Sequence, residues 1–334
     1  EEAARRRDFT MNAMMRDALT GALIDRFGGQ ADIQNRVIRH VDEETFRRDP
    51  LRAIRAAQFA ARLEFSIAPE TMALCRTLDL DGLARERVMG EMEKALTRSR
   101  RPSRCFEALR EMGQLEPWLK EVAALIGVKQ RADCHPEGDA WTHTMLVVDE
   151  AAKLRDEAKN PTGLMLAALL HDVGKAVAMQ EKDGVIHAYG HETAGVPLAE
   201  EFLRRLTGEK ALCRYVLNMV ELHMKPNMYA AQNSGQKAWN RLFDRSACPE
   251  DLLLLAKADH RGRINAAPYA ETERTIRAQL SAYEEMMARP HITGADLLAR
   301  GIQPGEEMGR LLEEAHRLRL AGVKKEDALR QMRL

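Results

Sequence analysis

In LMLAALLHDVGKA, residues 164–176, an apolar run ends abruptly on His171 and Asp172. From Leu164 to Leu170 there is no polar break, so the segment predicts a helix buried on every side, with Gly174 where a helix C-terminus favours glycine. His171 and Asp172 then point into the interior. A buried carboxylate beside an imidazole needs partners, because an isolated charge in a low-dielectric interior is strongly disfavoured unless it is paired or bound to metal.

The chain supplies such partners at helical spacing. His143 heads a row of Leu146, Val147, Ala151 and Leu154; His223 closes a row of Val216, Met219 and Val220; Asp259 closes one of Leu252, Leu255 and Ala256. One histidine on an apolar face is an ordinary hydrogen-bonded core residue. Three apolar stripes that each carry a ligand-type residue at one end make a mixed nitrogen and oxygen set, suited to Zn, Ni, Mn or Fe rather than to a thiolate site. His191 and His223 leave room for a second metal.

The segments WTHTM, LLHDVGK, YGHE, ELH and KADHRGR, in that order, resemble the HD-domain metal-dependent phosphohydrolases. The resemblance implies that His143, His171, Asp172 and Asp259 hold one metal, that His191 and His223 complete a second site bridged by Asp172, and that Lys175 faces the phosphate. Asp172, Lys175 and His171 would be the catalytic residues. A bound metal activates water and neutralises charge developing on phosphoryl oxygens.

Composition agrees with a helical protein. The 334 residues suffice for two or more domains, and 45% hydrophobic with only 5% aromatic residues favours helix over sheet. Lys plus Arg and Asp plus Glu both number 51, so a nucleic-acid partner would have to use a local basic surface. Cys75, Cys105, Cys134, Cys213 and Cys248 form no CxxC pair and read as reduced thiols. With no signal peptide and no membrane-length apolar run, the expectation is a cytoplasmic protein with no membrane partner.

At the front, residues 1–41 read as part of a mixed domain: a helix near Asn12–Arg16, a strand around Ala22–Phe27, a turn at Gly28–Gly29 and a strand at Val37–Val41. The segments RRDFTMNAM, LIDRFGGQADIQNRVIRHV, FRRDPLRAIRAAQFAARLEF and ARERVMGEMEKAL resemble sequential motifs of bacterial class II tRNA nucleotidyltransferases, the CCA-adding enzymes and their poly(A) polymerase relatives. With the HD region, the resemblance covers essentially the whole chain. It implies tRNA, CTP and ATP as partners, and Mg²⁺ for transfer. The family's glycine-rich turn and paired aspartates lie upstream of RRDFTMNA and are absent from this sequence, so the expectation is a truncated head and no transfer by the chain alone.

The same resemblance assigns Arg6, Arg7, Asp8, Asn12, Asp49, Arg52 and Arg55 to the nucleotide site. Asp49 and Arg52 would read the base edges shared by cytosine and adenine, an amine next to an acceptor. Asp49 followed by Pro50 is equally a capped helix start, and the Arg6–Asp8 run is equally a salt-bridged helix entry. Arg48 stands where the family usually has Glu. The cluster Arg98, Arg100, Arg101 and Arg104 is either a solvated face or a contact for acceptor-arm phosphates.

These readings give a mainly α chain: a head remnant of α/β type at 1–45, a helical neck and body at 46–125, an all-α HD domain at 126–270 entered near His135 as an extra phosphate contact, with Pro197 straining a helix that begins near His191, and a helical tail at 271–334. The implied function is CCA addition joined to 2′,3′-cyclic phosphodiesterase, 2′-nucleotidase or phosphatase activity. Two alternatives stay open: an independent HD nucleotide phosphohydrolase, and a non-catalytic RNA-binding partner of a separate catalytic head. A homodimer is also compatible.

Overall fold

The computed structural model describes residues 2–131, 135–182 and 185–334, so Cys134 lies outside the described residues. The chain is mainly α-helical, and its only paired strands among the described residues form two-stranded ladders. It divides into two compact units, Glu1–Glu221 with Ala258–Ala266, and Leu222–Lys257 with Ala267–Leu334. Among the described residues no helix is long and apolar enough to cross a membrane.

In the first unit the amino-terminal segment is anchored by Phe9, fully buried with edge-on contacts to Phe46 at 5.8 Å and Phe59 at 5.6 Å. The Asn12–Arg16 helix expected from sequence does not form. A 3₁₀ turn over Thr10–Asn12 is followed by the strand Met15–Arg16, which pairs antiparallel with Leu23–Ile24. The reason is tertiary: Phe9 bridges to His40, so the chain leaves the core extended before a helical turn can propagate. Gly28 turns with φ +75° and leads into a helix, Gly29–Gln34, where the sequence reading saw only a turn. A Cβ on Gly29 would lie 2.4 Å from the Thr10 carbonyl oxygen. The Val37 strand is two residues long, Val37–Ile38, and runs parallel to Ser66–Ile67.

The helix Leu51–Leu63 buries Ala53, Ala56, Ala57, Ala60 and Ala61, small residues that let the helices Arg85–Arg98 and Ser103–Met112 pack close. Pro161–Leu170 begins with Pro at its first position and with the Asn160 side chain accepting from Gly163 N at 2.9 Å. It is buried from Gly163 to Leu170, as its unbroken apolar run demands, and packs against both Ala140–Leu154 and Arg85–Arg98. Gly174 differs from expectation. Its φ is −66°, so it is no left-handed helix cap. It is small because a Cβ there would meet the His191 carbonyl oxygen at 1.9 Å and Gly195 N at 2.5 Å. His191–Leu206 runs as one helix with Pro197 inside it.

The second unit is built from Met224–Ala231, Gln236–Arg245, Ala270–Ala288 and Glu306–Leu320, with two shorter helices, Gly294–Leu298 and Lys325–Gln331. Trp239 stacks on Phe243 at 5.6 Å, and a smaller core gathers Ile292, Leu297, Ala315 and Ala328. His223, fully buried, immediately precedes Met224–Ala231.

Candidate metal centre and nucleotide cleft

His143 lies on the inner face of Ala140–Leu154, whose first turn is capped by the Asp139 carboxylate accepting from Thr142 N at 2.9 Å. His171 and Asp172 leave the end of Pro161–Leu170, His191 opens the next long helix, and Asp259 lies near the end of Pro249–Arg261. The structure brings these five side chains of the first unit together, each at least 95% buried. His143 Nε2 is 3.1 Å from Asp259 Oδ1 and 3.8 Å from Asp172 Oδ2; His171 Nε2 is 3.2 Å from Asp172 Oδ2; His191 Nε2 is 3.1 Å from Asp172 Oδ1.

The outer ring nitrogens fix the tautomers. His171 Nδ1 donates to Ala168 O and His191 Nδ1 to Ala188 O, both at 2.8 Å, and a carbonyl only accepts. With Nδ1 carrying its proton, each ring turns Nε2 toward a carboxylate oxygen, an approach that is favourable when a proton or a cation lies between the two atoms. His143 sits between two carboxylates, with Nδ1 2.8 Å from Glu137 Oε1. Burial opposes a charge on this ring, yet Asp259 and Glu137 raise its proton affinity. The field that draws a second proton onto the ring equally draws a metal ion. Burial would raise the Asp172 carboxyl, but His171, Lys175 and His191 hold it well below the usual range; Asp259 is lowered in the same way by His143 and Arg263. A centre of anionic oxygens and imidazole nitrogens whose outer nitrogens are hydrogen-bonded fits a divalent metal.

Lys175 Nζ is 2.6 Å from Asp172 Oδ2 and donates to Gln130 Oε1 at 2.6 Å. His135 contacts His143 edge-on at 4.7 Å, and burial together with the Lys175 charge lowers its pKa to about 4. Sequence reasoning missed Glu137 and Gln130. Glu137 Oε1 also bonds His135 Nδ1 at 2.8 Å; burial works against its charge, but the bonds from His143 and His135 hold it at about 2. Its signal was faint: an acid flanked by Pro136 and Gly138, outside any apolar stripe.

Elsewhere in the first unit, a cleft of about 770 Å³ is lined by all seven residues assigned to the nucleotide: Arg6, Arg7, Asp8, Asn12, Asp49, Arg52 and Arg55. Arg52 donates to the carbonyls of Arg6 at 2.7 Å and Thr45 at 3.0 Å, tying the amino-terminal segment to the helix Leu51–Leu63. Asp49 makes no side-chain cap; it accepts from Arg87 Nη2 at 2.8 Å, so the capping alternative is replaced by an ion pair. Arg55 bonds Asp8 and Glu91, two carboxylates that outweigh burial and raise its pKa. Arg6 pairs with Glu2, and Arg48 with Glu44 on the outer surface. The members of the arginine cluster differ in their contacts: Arg98 and Arg100 are exposed, Arg101 pairs with Asp149, and Arg104 donates to Phe65 O at 3.3 Å.

Family comparisons cover most of the chain. The HD domain family matches residues 140–280, the poly A polymerase head domain residues 1–39, and the probable RNA- and SrmB-binding site of polymerase A residues 64–126. The multifunctional CCA protein of Burkholderia cenocepacia strain HI2424 is 40% identical over 97% of this chain and 78% of its own length. That of Actinobacillus pleuropneumoniae serotype 5b strain L20 is 36% identical over 96% and 77%. Among solved structures, a CCA-adding enzyme with ATP shares the fold at TM-score 0.64 and 18% identity, over 99% of this chain and 71% of the other. The Bacillus stearothermophilus CCA-adding enzyme in complex with CTP does so at TM-score 0.62 and 24% identity, over 99% and 74%. With relatives this similar across nearly its whole length, the chain belongs to the multifunctional CCA protein family.

Proposed function

We propose that this chain serves CCA addition and repair at the tRNA 3′ end from CTP and ATP, and that its HD centre hydrolyses phosphoesters of the kind found at damaged RNA ends, a 2′,3′-cyclic phosphate or a 2′-phosphate. The observation that carries the second half is the convergence of three imidazole Nε2 atoms on the Asp172 and Asp259 carboxylates in the buried interior of the first unit. His143, His171, Asp172 and Asp259 would hold a divalent metal, with His191 on the far oxygen of Asp172. Nitrogen-rich ligation with two carboxylates favours Ni, Mn, Zn or Fe over Mg. When bound, the metal supplies charge neutralisation and an acidified water. Lys175 adds a cation beside Asp172 for a substrate phosphate, His135 a neutral ring beside His143, and Glu137 holds His143 in its tautomer.

For nucleotide selection, the reading rests on the enclosure of Asp49, Arg52 and Arg55 in one cleft with the Arg6–Asp8 segment. Asp49 would accept from the exocyclic amine of cytosine or adenine and Arg52 would donate to the neighbouring ring acceptor.

The test is metal content and turnover of adenosine 2′,3′-cyclic phosphate by the purified chain. Asp172→Ala should release the metal and abolish hydrolysis while the far-ultraviolet circular dichroism stays helical. Retained metal and hydrolysis in that variant would refute the assignment.

A further inference from the structure

The arginine cluster gains meaning once its members are separated. Arg104 turns back to Phe65 O, whereas Arg100 and Arg101 line a second cleft of about 340 Å³ with Lys153, Arg261 and Arg263. These five cations face two acids, Asp149 and Glu150. Asp149 already accepts from Ser103 N at 3.0 Å and Ser103 Oγ at 2.8 Å besides Arg101, and Glu150 is occupied by Lys153. Arg100 and Arg261 are exposed and make no ion pair among the described residues. The cleft is therefore left with positive charge that its own acids do not neutralise.

Its position matters as much as its sign. The turn after Pro249–Arg261 lies flat on the His143 helix, for a Cβ on Gly262 would meet Val147 Cγ2 at 2.4 Å and Val147 N at 3.0 Å. Arg263 lines the cleft, stands 3.6 Å from Asp259 Oδ2, and has a buried Nε with no hydrogen-bond partner. Ile264 N donates to Glu137 Oε2 at 3.3 Å, and Glu137 holds His143. The basic cleft and the candidate metal centre thus share a wall.

We propose that this cleft binds the phosphodiester backbone of a single-stranded RNA whose 3′ terminus enters the metal centre. The inference rests on the phosphohydrolase reading and adds the substrate class, a polynucleotide end rather than a free mononucleotide. Arginines spaced along a groove suit successive phosphates because each releases condensed counterions on contact. Arg100 and Arg101 would serve the HD centre, and not the acceptor arm at the transfer site.

Fluorescence anisotropy of a labelled single-stranded hexaribonucleotide tests this without turnover, so its outcome is independent of whether the chain hydrolyses a cyclic nucleotide. The double variant Arg100→Gln, Arg261→Gln should bind the hexamer at least tenfold more weakly. Its log affinity against log salt should be shallower by roughly 1.4, the value for two lost single-strand phosphate contacts. Arg214→Gln removes an exposed arginine outside the cleft and should leave both unchanged. Equal losses in Arg214→Gln, an unchanged slope in the double variant, or capture of a polyglutamate peptide as tight as that of RNA would overturn the proposal. Matched melting curves confirm that the exposed substitutions spare the fold.

Discussion

The Arg55 guanidinium grips one oxygen of Asp8 twice, through Nε at 2.9 Å and Nη2 at 2.7 Å, across 47 positions of sequence. A third bond runs from Nη1 to Glu91 at 3.0 Å. Deleting one partner of a buried pair costs about 3–5 kcal/mol, and the 28% exposure of the Arg55 side chain reduces this to about 2 kcal/mol. Asp8→Ala should lower the unfolding free energy obtained from urea titration by that amount and loosen the Arg6–Asp8 wall of the cleft. Arg55→Lys should not rescue binding, since an ammonium cannot reproduce the fork.

Arg52 separates two roles. If it reads bases, Arg52→Ala should reduce the preference for CTP and ATP over UTP and GTP by roughly ten- to hundredfold, the effect of a contact contributing about 1–3 kcal/mol. Isothermal titration with the four nucleotides measures this. A uniform weakening for all four would instead assign Arg52 to holding the carbonyls of Arg6 and Thr45.

Glu137 should behave as a positioning residue. Glu137→Gln keeps the shape but loses the charge that orients His143 and His135, and metal affinity should fall about 10- to 100-fold in chelator competition. The melting temperature in the absence of added metal should change far less than the affinity. A variant that binds metal as tightly as the parent would remove Glu137 from the site.

Asp296 should give the second unit an acid sensitivity of local origin. Asp296 completes a capping box with Thr293 and pairs with Lys325 at 2.8 Å, and these bonds lower its pKa to about 2. A depressed carboxyl stabilises the fold above the unfolded value near 4, and that contribution disappears as pH falls from about 4 towards 2. Asp296→Asn should melt below the parent at pH 6, with the difference closing by about pH 2, as followed by circular dichroism. A constant difference across that range would place the effect in packing and not in ionisation.

The convergence of His143 and Asp259 was legible because both sit on helices, where period 3.6 shows which face is inward, and His171 and Asp172 follow directly on a helix end. The helix Pro161–Leu170 announced its burial by the lack of any polar break. What escaped depends on contacts across long stretches of chain. Glu137 sits in a loop with no periodicity to reveal its direction. The Asn12–Arg16 segment has helix-forming composition, yet the burial of Phe9 and pairing with Leu23–Ile24 override it. Arg55 looked like a ligand-facing cation, but its donors already meet Asp8 and Glu91, partners that no local pattern marks. Gly174 was noticed for its conformation, whereas the structure uses its size.

That last difference determines how the protein responds to random mutagenesis. Position 174 bears no side chain, binds no ion and adopts an ordinary helical backbone, so a chemist looking for reactive groups would pass over it. Yet the three atoms nearest an added methyl are main-chain atoms of the His191 helix, which cannot swing aside as a side-chain tip would. In a selection for phosphohydrolase activity, alanine at this position should be depleted as strongly as replacements of the histidines themselves, because displacing that backbone displaces the imidazole it carries.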